Sequence, residues 1–132
     1  MATNVAKILV DDDDNFTVFA GAAIIGKRFV TFAPNLTTPG GVGNKPTVVL
    51  AAAAGQYAGV SGADQPLVGG DVDIYTEGIV YVTCSGGLTA GQRVSAGPGG
   101  VAVAQSGTAP SYGTCTANTV DGADAPIALQ GL

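Results

Sequence analysis

The sequence predicts an all-β protein: a compact small β-barrel or β-sandwich of short glycine-turned strands, with an extended N-terminal arm and little or no helix. Three observations predict it. Glycine occurs 21 times in 132 residues, about twice its average usage of roughly 7%, and it punctuates apolar runs, as tight turns between short strands require. No stretch carries the 3.6-residue apolar period of a three-turn amphipathic helix. The apolar runs are rich in Val, Ile, Phe and Tyr, which fit a pleated and half-buried surface.

Residues 1–15 are expected to form an arm and an acidic turn. Val5 to Val10 alternates weakly and stops at Asp11-Asp-Asp-Asp. Residues 16–132 are expected to form a single β-domain. Its strands are Phe16 to Phe19, Phe29 to Phe32, Thr47 to Leu50, Tyr57 to Val60 and Val72 to Tyr75, then Ile79 to Cys84, Arg93 to Ala96, Val101 to Ala104, Gly113 to Thr116 and Pro126 to Leu129. Ala20 to Gly26 reads as a loop or a single helical turn, and Ala51 to Ala54 as a helical turn stopped at Gly55. Residues 33–47 hold three prolines and three glycines and read as a long surface loop. In Asp71-Val-Asp-Ile, the period of two puts the carboxylates on one face of the strand and Val72 and Ile74 on the other, so only one face is core.

A faint internal echo accompanies this pattern. Tyr57-Ala-Gly-Val-Ser followed by Gly70-Asp-Val-Asp-Ile recurs as Tyr112-Gly-Thr-Cys-Thr followed by Ala123-Asp-Ala-Pro-Ile. One strand-turn-strand unit is used twice.

Composition narrows the function. Charged residues are 11% of the chain and the formal charge is −5. Nucleic-acid binding needs a basic face for counterion release, and an anionic membrane needs one too, so neither is an expected partner. No stretch approaches the ~18 uninterrupted apolar residues of a membrane helix. The opening Met-Ala-Thr-Asn has no basic segment and apolar core of a signal peptide, so synthesis in a cytoplasm is expected. On that expectation, Asn15-Phe-Thr and Asn35-Leu-Thr carry no glycosylation meaning.

Histidine is absent, which removes the commonest general base and the usual Ser or Cys triad. Asp71, Asp73 and Glu77 are the close carboxylate set outside the acidic run. Two carboxylates on one strand face are solvent-facing charges more often than the opposed pair of a glycosidase. In an EF-hand register from Asp11, Phe16 falls where glycine is needed and Ala22 where a bidentate Glu belongs. Gly40-Gly-Val-Gly-Asn-Lys45 has misplaced glycines for a phosphate loop, and Pro46 follows the lysine. Cys84 and Cys115 lack metal spacing and read as buried free thiols, although their similar strand contexts would also permit a bridge. No cofactor, metal or catalytic residue is expected.

Several segments together resemble a known family. They are Ile25-Gly-Lys-Arg-Phe-Val, Tyr57-Ala-Gly-Val-Ser, Gly70-Asp-Val-Asp-Ile-Tyr, Gly78-Ile-Val-Tyr-Val, Leu88-Thr-Ala-Gly-Gln-Arg-Val, Gly99-Gly-Val-Ala-Val and the C-terminal Ala-Pro-Ile-Ala-Leu. In order and spacing they resemble the small capsid decoration, or cement, proteins of tailed bacteriophages, especially those infecting actinobacteria. The resemblance implies a non-enzymatic virion protein that binds the major capsid protein on the outer surface of the assembled shell. It also implies a homotrimer at threefold or quasi-threefold positions, which stabilises the shell. Candidate partner contacts are Val5, Ile8 and Val10 on the arm, and Lys27, Arg28 and Lys45 among the cations. The alternative class is a carbohydrate-binding or adhesive β-module of a phage tail or fibre, which needs exposed aromatic platforms.

Overall fold

The structure, a computed structural model, describes residues 15–33, 46–52 and 57–129. The arm with Val5, Ile8 and Val10, the acidic run, most of the 33–47 loop with Lys45, and the expected turn at 53–54 lie outside the described residues. The strands are β1 (Asn15–Ala20), β2 (Phe29–Phe32), β3 (Thr47–Leu50), β4 (Gly59–Ser61), β5 (Asp71–Tyr75), β6 (Ile79–Thr83), β7 (Arg93–Ala96), β8 (Ala102–Ala104), β9 (Gly113–Cys115) and β10 (Asp124–Leu129). A 3-10 turn at Pro98–Gly100 joins β7 to β8.

The first five strands close into a barrel in the order β1-β3-β2-β4-β5, and the last five form a sheet in the order β6-β10-β9-β7-β8. The second order is the first repeated. In the barrel, β1 pairs antiparallel with β5 and parallel with β3. In the second sheet, β6 pairs antiparallel with β10 and meets β8 through a parallel bridge between Cys84 and Ala102.

Register repeats as faithfully as order. Val30 opposes Gly59 and Leu50 in the first unit, and Val94 opposes Gly113 and Ala104 in the second. The bridge between Ile24 and Gln65 returns as the bridge between Leu88 and Thr119. Even one side-chain cap is kept: the Gly26 N–H donates to Asp64 Oδ1 at 2.7 Å, and the Ala90 N–H to Asn118 Oδ1 at 2.9 Å.

The echo in the sequence is therefore the visible part of a duplicated five-stranded unit. Its alignment needs one correction. The Ala58 N–H donates to the Val30 carbonyl as the Tyr112 N–H does to Val94, so Tyr112 stands in the place of Ala58 and not of Tyr57. Asp124 and Ile127 do correspond to Asp71 and Ile74, because their cross-strand partners correspond.

The interiors match position by position. Val18, Ala20, Ile24, Val30, Val48, Ala58, Val72 and Ile74 fill the first unit. Their counterparts Val82, Cys84, Leu88, Val94, Ala102, Tyr112, Ala125 and Ile127 fill the second. Phe29 and Val60 oppose each other on the outer face of the first unit, yet are 0% and 1% exposed. They join the second unit's core and so make the seam. There the Phe29 ring meets Tyr112 edge-on at 5.0 Å and Tyr57 at 6.1 Å, while Tyr57 and Tyr112 lie 5.0 Å apart. Such geometry adds about 0.5–1.5 kcal/mol per pair beyond the area buried.

The all-β expectation holds, and the open choice between barrel and sandwich resolves into a closed five-stranded barrel with a second five-stranded sheet. Val72 and Ile74 face inward while Asp71 and Asp73 are exposed, as the alternation predicts. Ala20 to Gly26 forms no helical turn, because the Ile24 N–H and C=O are engaged by Gln65. Strand four begins at Gly59 and not Tyr57, and strand eight at Ala102 and not Val101. Strand ten begins at Asp124, two residues before Pro126. Pro126 sits inside the strand because its carbonyl still accepts from the Thr116 N–H at 2.9 Å. Having no N–H to return, it ends the ladder there, which is why β9 stops at Cys115.

Candidate interaction surface

The duplication supplies an internal comparison, since the paired strand positions of one unit have counterparts in the other. On the outer face of β1 and β5, Thr17 opposes Asp73 and donates its hydroxyl to the Asp73 carboxylate at 2.7 Å. The counterparts are Tyr81 opposite Pro126 and Ile79 opposite Ala128. Ile79 is 67% exposed and Tyr81 61%. The same face is thus polar and acidic on the first unit and an apolar strip on the second.

Beside the acidic face lies an open hollow of ≈230 Å³ lined by Gly62, Ala63, Asp64, Asp71, Val72, Asp73 and Tyr75. Its carboxylates already serve the fold, Asp73 through Thr17 and Asp64 through the Gly26 N–H. Among the described residues no group of three His, Cys, Asp or Glu is placed to hold a metal ion, and no helix is long and apolar enough to cross a membrane.

Lys27 and Arg28 lie on the seam. Lys27 has φ of 59° and is the one non-glycine among the described residues with positive φ; its counterpart is Gly91 at 87°. That conformation costs an L-residue roughly 1–2 kcal/mol. It is held by the Lys27 N–H donating to the Ser61 carbonyl and by the Lys27 carbonyl accepting from the Thr83 N–H. Lys27 Nζ reaches Asp124 Oδ2 at 2.7 Å, and Thr83 Oγ1 donates to Asp124 Oδ1. Arg28 donates from Nη1 to the Gly99 carbonyl at 3.0 Å. Both side chains therefore tie unit one to unit two, and Lys27 remains 57% exposed.

The ion pair fixes the direction of a pH effect. The hydrogen bond from Lys27 does most to hold the Asp124 carboxyl below its ordinary 3.8; desolvation opposes it, and the Thr83 hydrogen bond and the Lys27 charge add smaller support. Lys27 is raised above 10.5 by the same contact. The Asp124 contribution is present above its ordinary value and is lost as pH falls through the depressed one; the Lys27 contribution is lost as pH rises through the raised one. Both groups are solvent-exposed, so the effect is small and screened by salt. In denaturant titrations Asp124→Asn should flatten the acid limb of the stability profile at low salt and leave it unchanged in 1 M NaCl. A steeper acid limb in the variant would contradict the assignment.

Cys84 and Cys115 are buried free thiols, each donating to a backbone carbonyl, Val120 at 3.2 Å and Ala117 at 3.0 Å. Burial, with Glu77 nearby, pushes the Tyr57 hydroxyl well above its ordinary 10, so this seam residue stays a neutral phenol at physiological pH. The Ile79–Tyr81 strip was missed in the sequence, where Gly78-Ile-Val-Tyr-Val read only as strand. In the structure Val80 and Val82 take the inward positions, leaving Ile79 and Tyr81 outside.

No protein-family model matches the chain, and no curated protein matches it. Among solved structures, the chain is similar to the crystal structure of the head fiber gp8.5 N base in bacteriophage phi29. The TM-score is 0.69 at 16% sequence identity, over 88% of this chain and 92% of that one. At that identity the likeness establishes a shared fold.

Proposed function

We propose that this chain is a non-enzymatic structural protein of a tailed-phage virion. It binds the major capsid protein on the outer surface of the assembled capsid and stabilises the shell as a trimer at threefold or quasi-threefold positions. The observation that carries this reading is the fold shared with a phage head fiber base over nearly the whole of both chains. The decoration-protein segments support it, as does the chemistry of the surface. A cement acts through many modest contacts repeated by symmetry and needs neither a pocket nor a proton shuttle.

The Ile79–Tyr81 strip is the contact between copies of the chain. It occurs on one unit only, and a contact repeated around a threefold axis is heterologous, so the strip of one copy packs on a different patch of the next. With Pro126 and Ala128 it forms the apolar centre of a contact that must bury about 800 Å² per partner to be stable. Tyr81→Lys should convert the oligomer to monomer in light scattering while circular dichroism keeps the signature of the folded β-protein. An unchanged oligomer, or a wild-type protein that is already monomeric, would remove this assignment.

Electron microscopy of native particles with and without the chain tests the function directly. Added density on the outer shell at threefold positions, together with co-sedimentation of the purified protein with mature capsids, is expected. A protein that ignores shells, or density confined to the tail, would sink the reading.

A further inference from the structure

The two units have diverged at most exposed positions, and the exceptions are informative. Among the large apolar residues exposed in either unit, Val68 corresponds to Asp121, Ile25 to Thr89, Tyr81 to Thr17, Ile79 to Asn15 and Phe32 to the buried Ala96, so none of them meets an exposed apolar counterpart. Leu67 and Val120 break that rule. They correspond to each other, both are apolar, and they are 69% and 74% exposed.

Both occupy the first position of the same turn. The Leu67 carbonyl accepts from the Gly70 N–H at 3.0 Å, and the Val120 carbonyl from the Ala123 N–H at 3.2 Å. The turn closes through Gly69 at φ 84° and Gly122 at φ 83°, whose N–H groups donate to Ala20 and Cys84. The turn therefore needs the backbone carbonyl and the left-handed glycine. It makes no use of an apolar side chain, for which exposure to water is a cost.

We infer that Leu67 and Val120 are two copies of one docking contact, each seating in the same kind of apolar pocket on neighbouring subunits of a repeating protein surface. This rests on the proposed function, which makes that surface the assembled capsid. A contact present twice in one chain joins two partner subunits, and bridging of this kind is what stiffens a shell. The flanking charge sets the pocket's rim. Asp71 follows Leu67 and Asp121 follows Val120, and the whole chain carries −5, so the complementary rim is basic.

The test is co-sedimentation of the full-length protein with purified capsids, for wild type, Leu67→Ser, Val120→Ser, the double variant and Val68→Ser. Each single variant should weaken binding roughly 100-fold by removing half of the linked contacts, and the two should behave alike. The double variant should not bind, binding of wild type should fall with added salt, and Val68→Ser should match wild type. Melting temperatures should be unchanged throughout, because both side chains are exposed. Wild-type binding that survives in the double variant would overturn the paired contact and leave the proposed function standing. A wild type that fails to bind capsids would overturn both.

Discussion

Tyr112→Ala is expected to destabilise the protein by about 4 kcal/mol, within the range of roughly 3–5 kcal/mol for removing a large buried aromatic side chain. Tyr112 is 1% exposed and leads the fully buried side chains by volume. It also holds the seam through Phe29 and Tyr57. The comparison between units sharpens this expectation. The substitution installs the very residue that unit one carries at this position, Ala58, which is itself buried. Unit one can afford alanine there because Val48 and Val72 help fill its interior. Unit two has alanine at both counterparts, Ala102 and Ala125, so its core is built around the ring and a cavity follows the truncation. Urea denaturation should show the midpoint falling sharply, with Ala125→Val in the same chain restoring about 1 kcal/mol. A loss below ~1.5 kcal/mol would show that the ring is not what fills the second unit.

The legibility of this fold divides along physical lines. Strand positions were readable wherever a buried face alternated with an exposed one, as in Asp71-Val-Asp-Ile, because a period of two and a single apolar face leave one solution. The duplication was readable only in its second hairpin, where Asp-x-x-Ile survives in both copies. Elsewhere the core tolerates exchange at constant pattern: Ile24 becomes Leu88, Val48 becomes Ala102 and Ala58 becomes Tyr112. Backbone register persists while residue identity does not. Lys27 and Arg28 read as a basic pair free to meet a partner, and no local signal marks them as seam residues, since Asp124 and Gly99 are remote in sequence. The apolar strip escaped notice because the phase of Ile-Val-Tyr-Val cannot be set without knowing which face the neighbouring strand covers. The contrast between the strip and the paired turn residues then follows from the duplication. A feature present on one unit suits contact between copies of the chain, and a feature present on both suits a partner that itself repeats.

The second large effect is expected at a glycine that the duplication has kept. Gly59 and Gly113 occupy the same position, opposite Val30 and Val94, and neither has positive φ. Their requirement is therefore spatial and not conformational. A Cβ on Gly59 would lie 2.6 Å from the carbonyl oxygen of Tyr75, and one on Gly113 would collide with the corresponding carbonyl of Ala128 and crowd the Ile127 side chain. Backbone on a paired strand cannot step aside without breaking the β9–β10 ladder, so the collision is not relieved by a rotamer change. Gly113→Ala should cost about 3 kcal/mol or more, of the order seen when overpacking forces a backbone shift. Gly78 and Gly86 make the opposite control. Both have positive φ, 87° and 80°, with nothing near an added Cβ, so alanine there should cost only the roughly 1–2 kcal/mol of a left-handed residue. Chemical denaturation of the three variants separates the two causes. If Gly113→Ala proved no worse than Gly86→Ala, the close approach of β9 to β10 would not be what keeps glycine at this position in both units.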